Sequence, residues 1–264
     1  MSVSVTGKSF KEFDKQFNEE KKREIYNNIH IDQPFFARLD GWAFHTFTKK
    51  MGFVKPYDIN LTLRLVKATA STVNTFKPTF AYLFSDEISF YFPEQPIFDR
   101  LEKIDSLLPS FFTSMFSTPE STACFDCRVI PVPDADAVTK YLLWRQAECG
   151  RNFLNGWAEQ VLKKDITSAS KRAKILKGLG GKELKELCLS NGFDLDKAPK
   201  WQQNGIILYT STYLKDGFNP ITKENVIAER RYVKEDWEIP KFGSVEGKEY
   251  LKFLFSLNNT PQGL

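Results

Sequence analysis

Two short acidic segments interrupt otherwise apolar runs. Asp40-Gly41 closes Pro34-Phe35-Phe36-Ala37-Arg38-Leu39, and Ser85-Asp86-Glu87 separates the aromatic stretches 80–84 and 88–92. Two carboxylates with a backbone carbonyl make a hard oxygen site suited to Mg2+, an ion that keeps part of its water shell and recruits substrate phosphates. A pair of such ions about 3.5–4 Å apart serves phosphoryl or nucleotidyl transfer, one lowering the pKa of an attacking hydroxyl and the other holding the triphosphate. The plainer reading makes Asp40-Gly41 a turn and Asp86-Glu87 a solvated hairpin tip. Spacing alone leaves both readings open.

The order of elements decides whether these carboxylates meet. Residues 34–40 read as a strand closed by an Asp-Gly turn. From 57 to 76, Ile59, Leu61, Leu63, Val66, Ala70 and Val73 recur at roughly helical spacing, with Asp58 or Asn60 as cap and Lys77-Pro78 as stop. Stretches 80–84 and 88–92 read as a hairpin, 98–116 as a helix that Pro109 should kink, and 123–132 as another strand. This strand-helix-strand-strand-helix-strand succession is the ferredoxin-like βαββαβ plan of an α+β fold. In that plan the first strand lies antiparallel to the third. The end of the first and the hairpin joining the second and third then share one sheet edge, where Asp40 converges with Asp86. RNA-recognition modules, polymerase palms, nucleotidyl cyclases and many metabolic folds use the plan, so fold alone does not give function.

Composition narrows the class. The chain has 264 residues, 42% hydrophobic and 27% charged, which excludes a disordered or fibrous protein and allows one or two domains. No run approaches the ~20 apolar residues of a bilayer span, and MSVSVTGKSF lacks a signal-peptide core. With four cysteines in no dense spacing, the expectation is a soluble cytoplasmic protein. A net charge of +4 points only weakly to nucleic acid, because clustering matters more than sign. The 24 phenylalanines read first as core filler and second as stacking platforms for bases. Residues 1–30 read as an N-terminal helix, 137–162 as a helix, 163–185 as a basic stretch, and 205–213 with 229–237 as an irregular, β-containing tail.

Several ordered blocks carry a resemblance. They are Arg38-Leu39-Asp40-Gly41, Phe44-His45-x-Phe47, Phe53-x-Lys55-Pro56-x-Asp58, Phe84-Ser85-Asp86-Glu87-Ile88-Ser89-Phe90, Phe98-x-Arg100-x-x-Lys103-Ile104-x-Ser106, Phe112-Thr113-Ser114, Phe125-Asp126-x-Arg128-Val129 and Trp144-Arg145-Gln146. Together they resemble the tRNA-histidine guanylyltransferase family over about residues 35–155, and weakly to about 210. That family adds nucleotides to the 5′ end of tRNA, the reverse of ordinary polymerisation, on a palm related to those of conventional polymerases. The resemblance implies that Asp40, the Gly41 carbonyl and Asp86 hold two Mg2+ ions, with Glu87 beside them as a further catalytic group. It implies that Arg38, His45, Lys55, Ser85, Arg100, Lys103 and Asn152 line the incoming triphosphate and the activated 5′ end, with Asp58 near the base. It also implies a palm-like catalytic region over 1–132 with a helical, basic region over 133–264 packed on it in one continuous unit. ATP and GTP or other nucleoside triphosphates are the implied substrates, tRNA the partner, and a homotetramer the assembly.

The departures carry information too. Eukaryotic members have a basic residue where this chain has Trp42, an Asn where it has Tyr57, and a His-Ile-Asn-Asn-Leu-Tyr-Asn block where it has Gly150-Arg151-Asn152-Phe153-Leu154-Asn155-Gly156. The missing histidine is similar to the guanylyltransferase-like branch of bacteria and archaea, which favours templated repair of 5′-truncated tRNA over addition of a single G.

Other features are weaker. Cys124 and Cys127, three apart on a strand, point to opposite faces and cannot share a zinc; with Cys149 and Cys188 they read as structural. His30 reads as a surface histidine. Lys163, Lys164, Lys171, Arg172, Lys174, Lys177, Lys182 and Lys185 face only Asp165 and Glu183 in their window, and form either a solvated helical face or a phosphate-tracking surface for tRNA. Arg230, Arg231 and Tyr232 carry the same two readings. The sequence thus points to a 3′–5′ nucleotidyltransferase on tRNA, with a dedicated guanylyltransferase, a nucleotidyl cyclase and an RNA-binding module as alternatives. Paired carboxylates argue against the last, since they repel phosphates unless a cation intervenes.

Overall fold

The computed structural model describes residues 17–257 apart from 21, 27, 95–98, 220 and 222. Its first half comprises β1 (Phe35–Trp42), α1 (Phe44–Lys50), α2 (Ile59–Phe76), β2 (Phe80–Phe84), β3 (Glu87–Phe92), α3 (Leu101–Phe116) and β4 (Cys124–Pro131). This is the expected succession with one short helix, α1, added after β1. Asp58 caps α2 by accepting from the amides of Asn60 (2.8 Å) and Leu61 (3.2 Å), and Lys77 ends it in the left-handed region at φ 56°. Helix α3 runs through Pro109 to Phe116. Most of the expected N-terminal helix, and Phe98, lie outside the described residues; residues 17–20 are helical, but the described residues from 22 to 30 form turns and a bridge from His30 to Arg100 instead of the expected helix.

The second half comprises α4 (Ala135–Leu162), α5 (Ala169–Leu176), α6 (Gly181–Ser190), α7 (Lys200–Asn204), β5 (Ile206–Asn219), β6 (Glu224–Asp236) and α8 (Val245–Ser256). All six strands form one sheet in the order β4-β1-β3-β2-β5-β6, with every neighbouring pair antiparallel. Strands from both halves therefore share one sheet, and the tail expected to be irregular is a long regular hairpin. Its sequence lacks the alternation of a half-buried strand, because Lys215-Asp216 and Glu229-Arg230-Arg231 put charge on both faces. Cross-strand pairing, not burial, holds its outer part together.

Side-chain alternation assigns the two faces. Phe35, Leu39, Phe90 and Phe92 pack with Leu65 of α2 and Phe112 of α3. Phe36, Tyr82, Phe84 and Tyr91 pack with Tyr141 and Leu142 of α4 and Leu254 of α8. A sheet covered on both sides needs strands that are apolar in both registers, which accounts for the phenylalanines as core. A third cluster of Phe153, Ala158, Leu184 and Cys188 holds the end of α4 against α6. Cys127 packs toward the α2–α3 face while Cys124 is exposed, and none of the four cysteines is in a disulfide. Among the described residues no helix is long and apolar enough to cross a membrane.

Candidate active site

Register places the first carboxylate. Strand β1 pairs with β3 so that Asp40 lies opposite Glu87, at the sheet end where β2 turns into β3. That turn is the two residues Ser85 and Asp86, with Ser85 in the left-handed region at φ 51°. Asp86 folds back over Gly41: a Cβ built there would stand 2.9 Å from the Asp86 Oδ2 and 2.6 Å from the Phe44 ring. Only glycine admits this approach. The Ser85 hydroxyl donates to Asp86 Oδ1 at 2.9 Å.

The electrostatics ask for a cation. Burial raises the Asp86 carboxyl above its ordinary range, the Ser85 hydrogen bond opposes this, and Asp40 adds to the rise. Among the described residues no three His, Cys, Asp or Glu side chains gather as a ready metal site. A cation here would rest on Asp40, Asp86, the Gly41 carbonyl and water. That hard-oxygen set with partial hydration fits Mg2+.

Glu87 is placed differently from expectation. It is 8% exposed, and its Oε2 accepts from Arg145 Nη1 at 2.8 Å and lies 3.9 Å from Arg38 Nε. Burial pushes its carboxyl up to about 7 although both arginines pull the other way. The Trp144 ring covers both guanidinium groups, 3.9 Å from Arg145 and 5.5 Å from Arg38. Glu87 therefore anchors an arginine pair beneath Asp40, and its Oε2 is already taken.

Two cavities meet at Ser85, Asp86 and Asn152. The first, about 220 Å3, is lined by His45, Lys55, Asp58, Phe53, Tyr57 and Trp201. Lys55 has its ammonium pKa lowered by burial and by nearby Lys163, with Asp86 opposing. Asp58 is held below the usual carboxylate range chiefly by the Val54 amide, which donates at 2.8 Å. Since the same carboxylate caps α2, its first task is to shape the cavity wall. The second cavity, about 240 Å3, is lined by Arg38, Asp40, Glu87, Arg128 and Arg145. There Nε and Nη1 of Arg38 and Oε1 of Glu87 are buried without a hydrogen-bond partner, polar capacity that suits a hydrated or ligand-bearing space.

Some expected residues do not join the site. Arg100 and Lys103 line neither cavity. Helix α3 starts beyond Phe92, which pairs with Phe35 at the opposite end of β1, and returns until Phe116 packs on Phe44 and Phe47. Both basic residues thus sit on the far edge of the sheet; Arg100 is 3.0 Å from Glu102. In the basic window Arg172 is buried, 2.7 Å from Glu159 and donating to the Ile166 and Thr167 carbonyls, so it serves packing and leaves the RNA-facing set. Lys185 pairs with Asp196 at 2.6 Å and Lys182 lies 3.9 Å from Glu186. Lys164, Lys171, Lys174 and Lys177 are exposed. Sequence reasoning gave no role to Arg128, Arg145 or Trp144. The signal available was Trp144-Arg145-Gln146 on a helix that buries Val138, Tyr141, Leu142, Cys149 and Phe153. Gln146 stitches α4 to the tail: its amide donates to the Asn204 and Pro240 carbonyls, and its carbonyl accepts from the Phe242 amide at 2.6 Å.

Known proteins resemble this chain in sequence and in fold. The family model for tRNAHis guanylyltransferase (Thg1) matches residues 15–133. A tRNA(His) guanylyltransferase of Schizosaccharomyces pombe is 30% identical over 207 residues, 73% of this chain and 79% of the relative. A probable tRNA(His) guanylyltransferase of Drosophila melanogaster is 31% identical over 188 residues, and the chain spans only 65% of that relative's length. Solved structures of a bacterial tRNA(His) guanylyltransferase (Thg1)-like protein superpose with a TM-score of 0.72 in complex with ATP and 0.69 in complex with GTP, at 23% and 24% identity. Each covers 92% of this chain and 99% of the solved one. On sequence, and in agreement with the fold, this chain belongs to the tRNA(His) guanylyltransferase family.

Proposed function

We propose that this protein is a tRNA 5′-end nucleotidyltransferase that extends in the 3′–5′ direction and repairs 5′-truncated tRNA under template control. In this reading residues 35–131 form a ferredoxin-like palm, two Mg2+ ions are the cofactors, and ATP, GTP or another nucleoside triphosphate is the substrate. The observation that carries it is Asp86 laid on Gly41 beside Asp40, between a half-apolar cavity and an arginine-lined one. The family's activity and the nucleotides held by the solved neighbours support it. Asp40, Asp86 and the Gly41 carbonyl would hold Mg2+, which when bound acidifies an attacking 3′-hydroxyl and offsets charge on the departing pyrophosphate.

The chain's own groups do the positioning. Phe53, Tyr57 and Trp201 offer an aromatic wall to a base, while Lys55, His45 and the Ser85 hydroxyl neutralise and orient the triphosphate. Arg38, Arg128 and Arg145 offer guanidinium donors to the activated 5′ end in the second cavity. Without the histidine at position 150 or a basic residue at position 42, the incoming nucleotide must be held by pairing with a template base. A homotetramer belongs to the same proposal.

The test is extension of 5′-labelled tRNA lacking its first nucleotide, with Mg2+ and one nucleoside triphosphate at a time. The complementary nucleotide should be added whichever base stands opposite. Equal rates of G addition opposite C and opposite A would replace templated repair by dedicated guanylyl transfer.

A further inference from the structure

Strand β1 outruns one of its neighbours. Its pairing with β3 ends at Asp40–Glu87, whereas its pairing with β4 continues through Gly41–Phe125 to Trp42–Cys124. On the β3 side, where Ser85 and Asp86 make the turn, the last two residues of β1 have no strand beside them. Ala43 follows in the left-handed region at φ 51°, and Phe44 turns back against Phe47, Phe116 and Phe125. Trp42 is therefore held between a glycine pinned by Asp86 and a sharp turn, on a backbone fixed from both sides.

Side chains two apart on a strand share a face, as do cross-strand partners. Arg38, Asp40 and Trp42 form one column on the α4 side of the sheet, with Arg128, Asp126 and Cys124 beside them on β4. Arg38, Asp40 and Arg128 line the second cavity, and Trp42 is the next step out, about 7 Å of strand beyond Asp40. Its partner Cys124 is small and exposed. The other four tryptophans are engaged: Trp144 lies over Arg145 at 3.9 Å, Trp157 stacks on Phe193 at 3.8 Å, and Trp201 meets Trp237 edge to face at 5.9 Å. Trp42 is 69% exposed and has no ring, cation or hydrogen-bond partner among the described residues.

We infer that Trp42 is a stacking platform for the base of the 5′-terminal nucleotide, the one whose phosphate enters the second cavity. The inference rests on the reading of 5′-truncated tRNA as substrate. A nucleotide whose phosphate meets Arg38, Arg128 and Arg145 beside Asp40 carries its base as the nearest flat apolar group. Trp144, the other exposed tryptophan on this face, already has its ring on two guanidinium groups, which leaves Trp42 for the base. Every base has a π-face, so stacking accepts whichever base a truncation leaves at the end. The fixed backbone lowers the ordering cost of the contact.

Variants of the full chain test it by binding of labelled tRNA that lacks its first nucleotide, prepared with each base in turn at the new 5′ end. Trp42→Ala should weaken binding about tenfold for every end, and Trp42→Phe should recover most of the loss. Neither should change the log–log salt slope, because no charge is removed. The KM for the incoming nucleoside triphosphate should stay within about twofold. A 2-aminopurine placed as the 5′-terminal base should lose fluorescence on binding wild type and keep it with Trp42→Ala. Unchanged binding by Trp42→Ala, or a raised nucleotide KM with tRNA binding intact, would overturn the inference and leave the proposed activity standing. So would a loss that Trp42→Phe does not recover, or dissociation of Trp42→Ala into smaller species by light scattering, which would make the indole a contact between copies. Wild type that binds no truncated tRNA at any salt concentration would instead remove the substrate reading itself.

Discussion

At Asp86, burial and the neighbouring Asp40 both oppose ionisation, and the opposition has a measurable sign. Its carboxyl titrates above the ordinary aspartate value of 3.8, so the folded chain favours the neutral form. That stability is present at low pH and lost as pH rises through the folded value. Without divalent cation, Asp86→Asn should therefore raise Tm by about 2–4 °C at neutral pH, the shift that ~1 kcal/mol makes in a chain of this size. The gain should vanish near pH 4, and thermal unfolding with and without Mg2+ reads both effects. The same variant, like Asp40→Ala, should lose nucleotide addition and any Mg2+-dependent rise in Tm; a wild-type rate in either would remove the two-metal reading. Beneath them, Arg145→Ala strands the buried Glu87 and should cost about 3–5 kcal/mol in urea unfolding. Adding Glu87→Gln to Arg145→Ala should restore part of that loss, since the uncompensated charge is then gone.

The elements hold this site through backbone features more than through side chains. Gly41→Ala puts a methyl where the Asp86 carboxylate and the Phe44 ring already lie. It should cut nucleotide addition about a hundredfold, the scale of an ångström-level misplacement. Far-UV circular dichroism should hardly change, because β1 keeps its partners on both sides. For the helical basic window, the structure separates two roles that the sequence merges. Lys171, Lys174 and Lys177 changed together to Glu should weaken tRNA binding and flatten its salt dependence if α5 tracks phosphates. Arg172→Ala should leave that slope alone and instead destabilise the chain by about 1–3 kcal/mol, because the Ile166 and Thr167 carbonyls and Glu159 lose a charged donor that is itself buried. Salt-series binding and chemical denaturation separate the outcomes.

For the molecule as a whole, substrate choice follows from what its two halves bring together. Helix α4 of the second half contributes Arg145 and Asn152 to a site whose carboxylates come from the first, with Gly150 between them along the helix. A Cβ built at Gly150 meets nothing within 4 Å, so a side chain can leave the backbone there without a clash. Gly150→His should raise G addition to tRNA without a pairing partner relative to addition opposite C. Single-turnover rates on the two acceptors give that ratio; an unchanged ratio would show that position 150 does not set template dependence.

Apolar runs, helical spacing and capping are local, which is why β1, α2, β2, β3, α3 and β4 were legible from residues 34–132 almost to their ends, and why Asp58 was readable as one of two candidate caps. The meeting of Asp40 with Asp86 followed from element order alone, because an antiparallel first and third strand leaves those two chain positions at one edge. Three things lay beyond any local pattern. The β5–β6 hairpin holds its outer part by pairing across the chain, so its strands show no alternation. Glu87 and Arg172 look like free charges in sequence and become buried partners only once α4 packs against the sheet and α5. Arg100 and Lys103 carry the charge a triphosphate needs, but α3 begins where β3 ends and so puts them on the far edge. Residue chemistry and element order are written along the chain, whereas burial and distance are properties of how its elements pack.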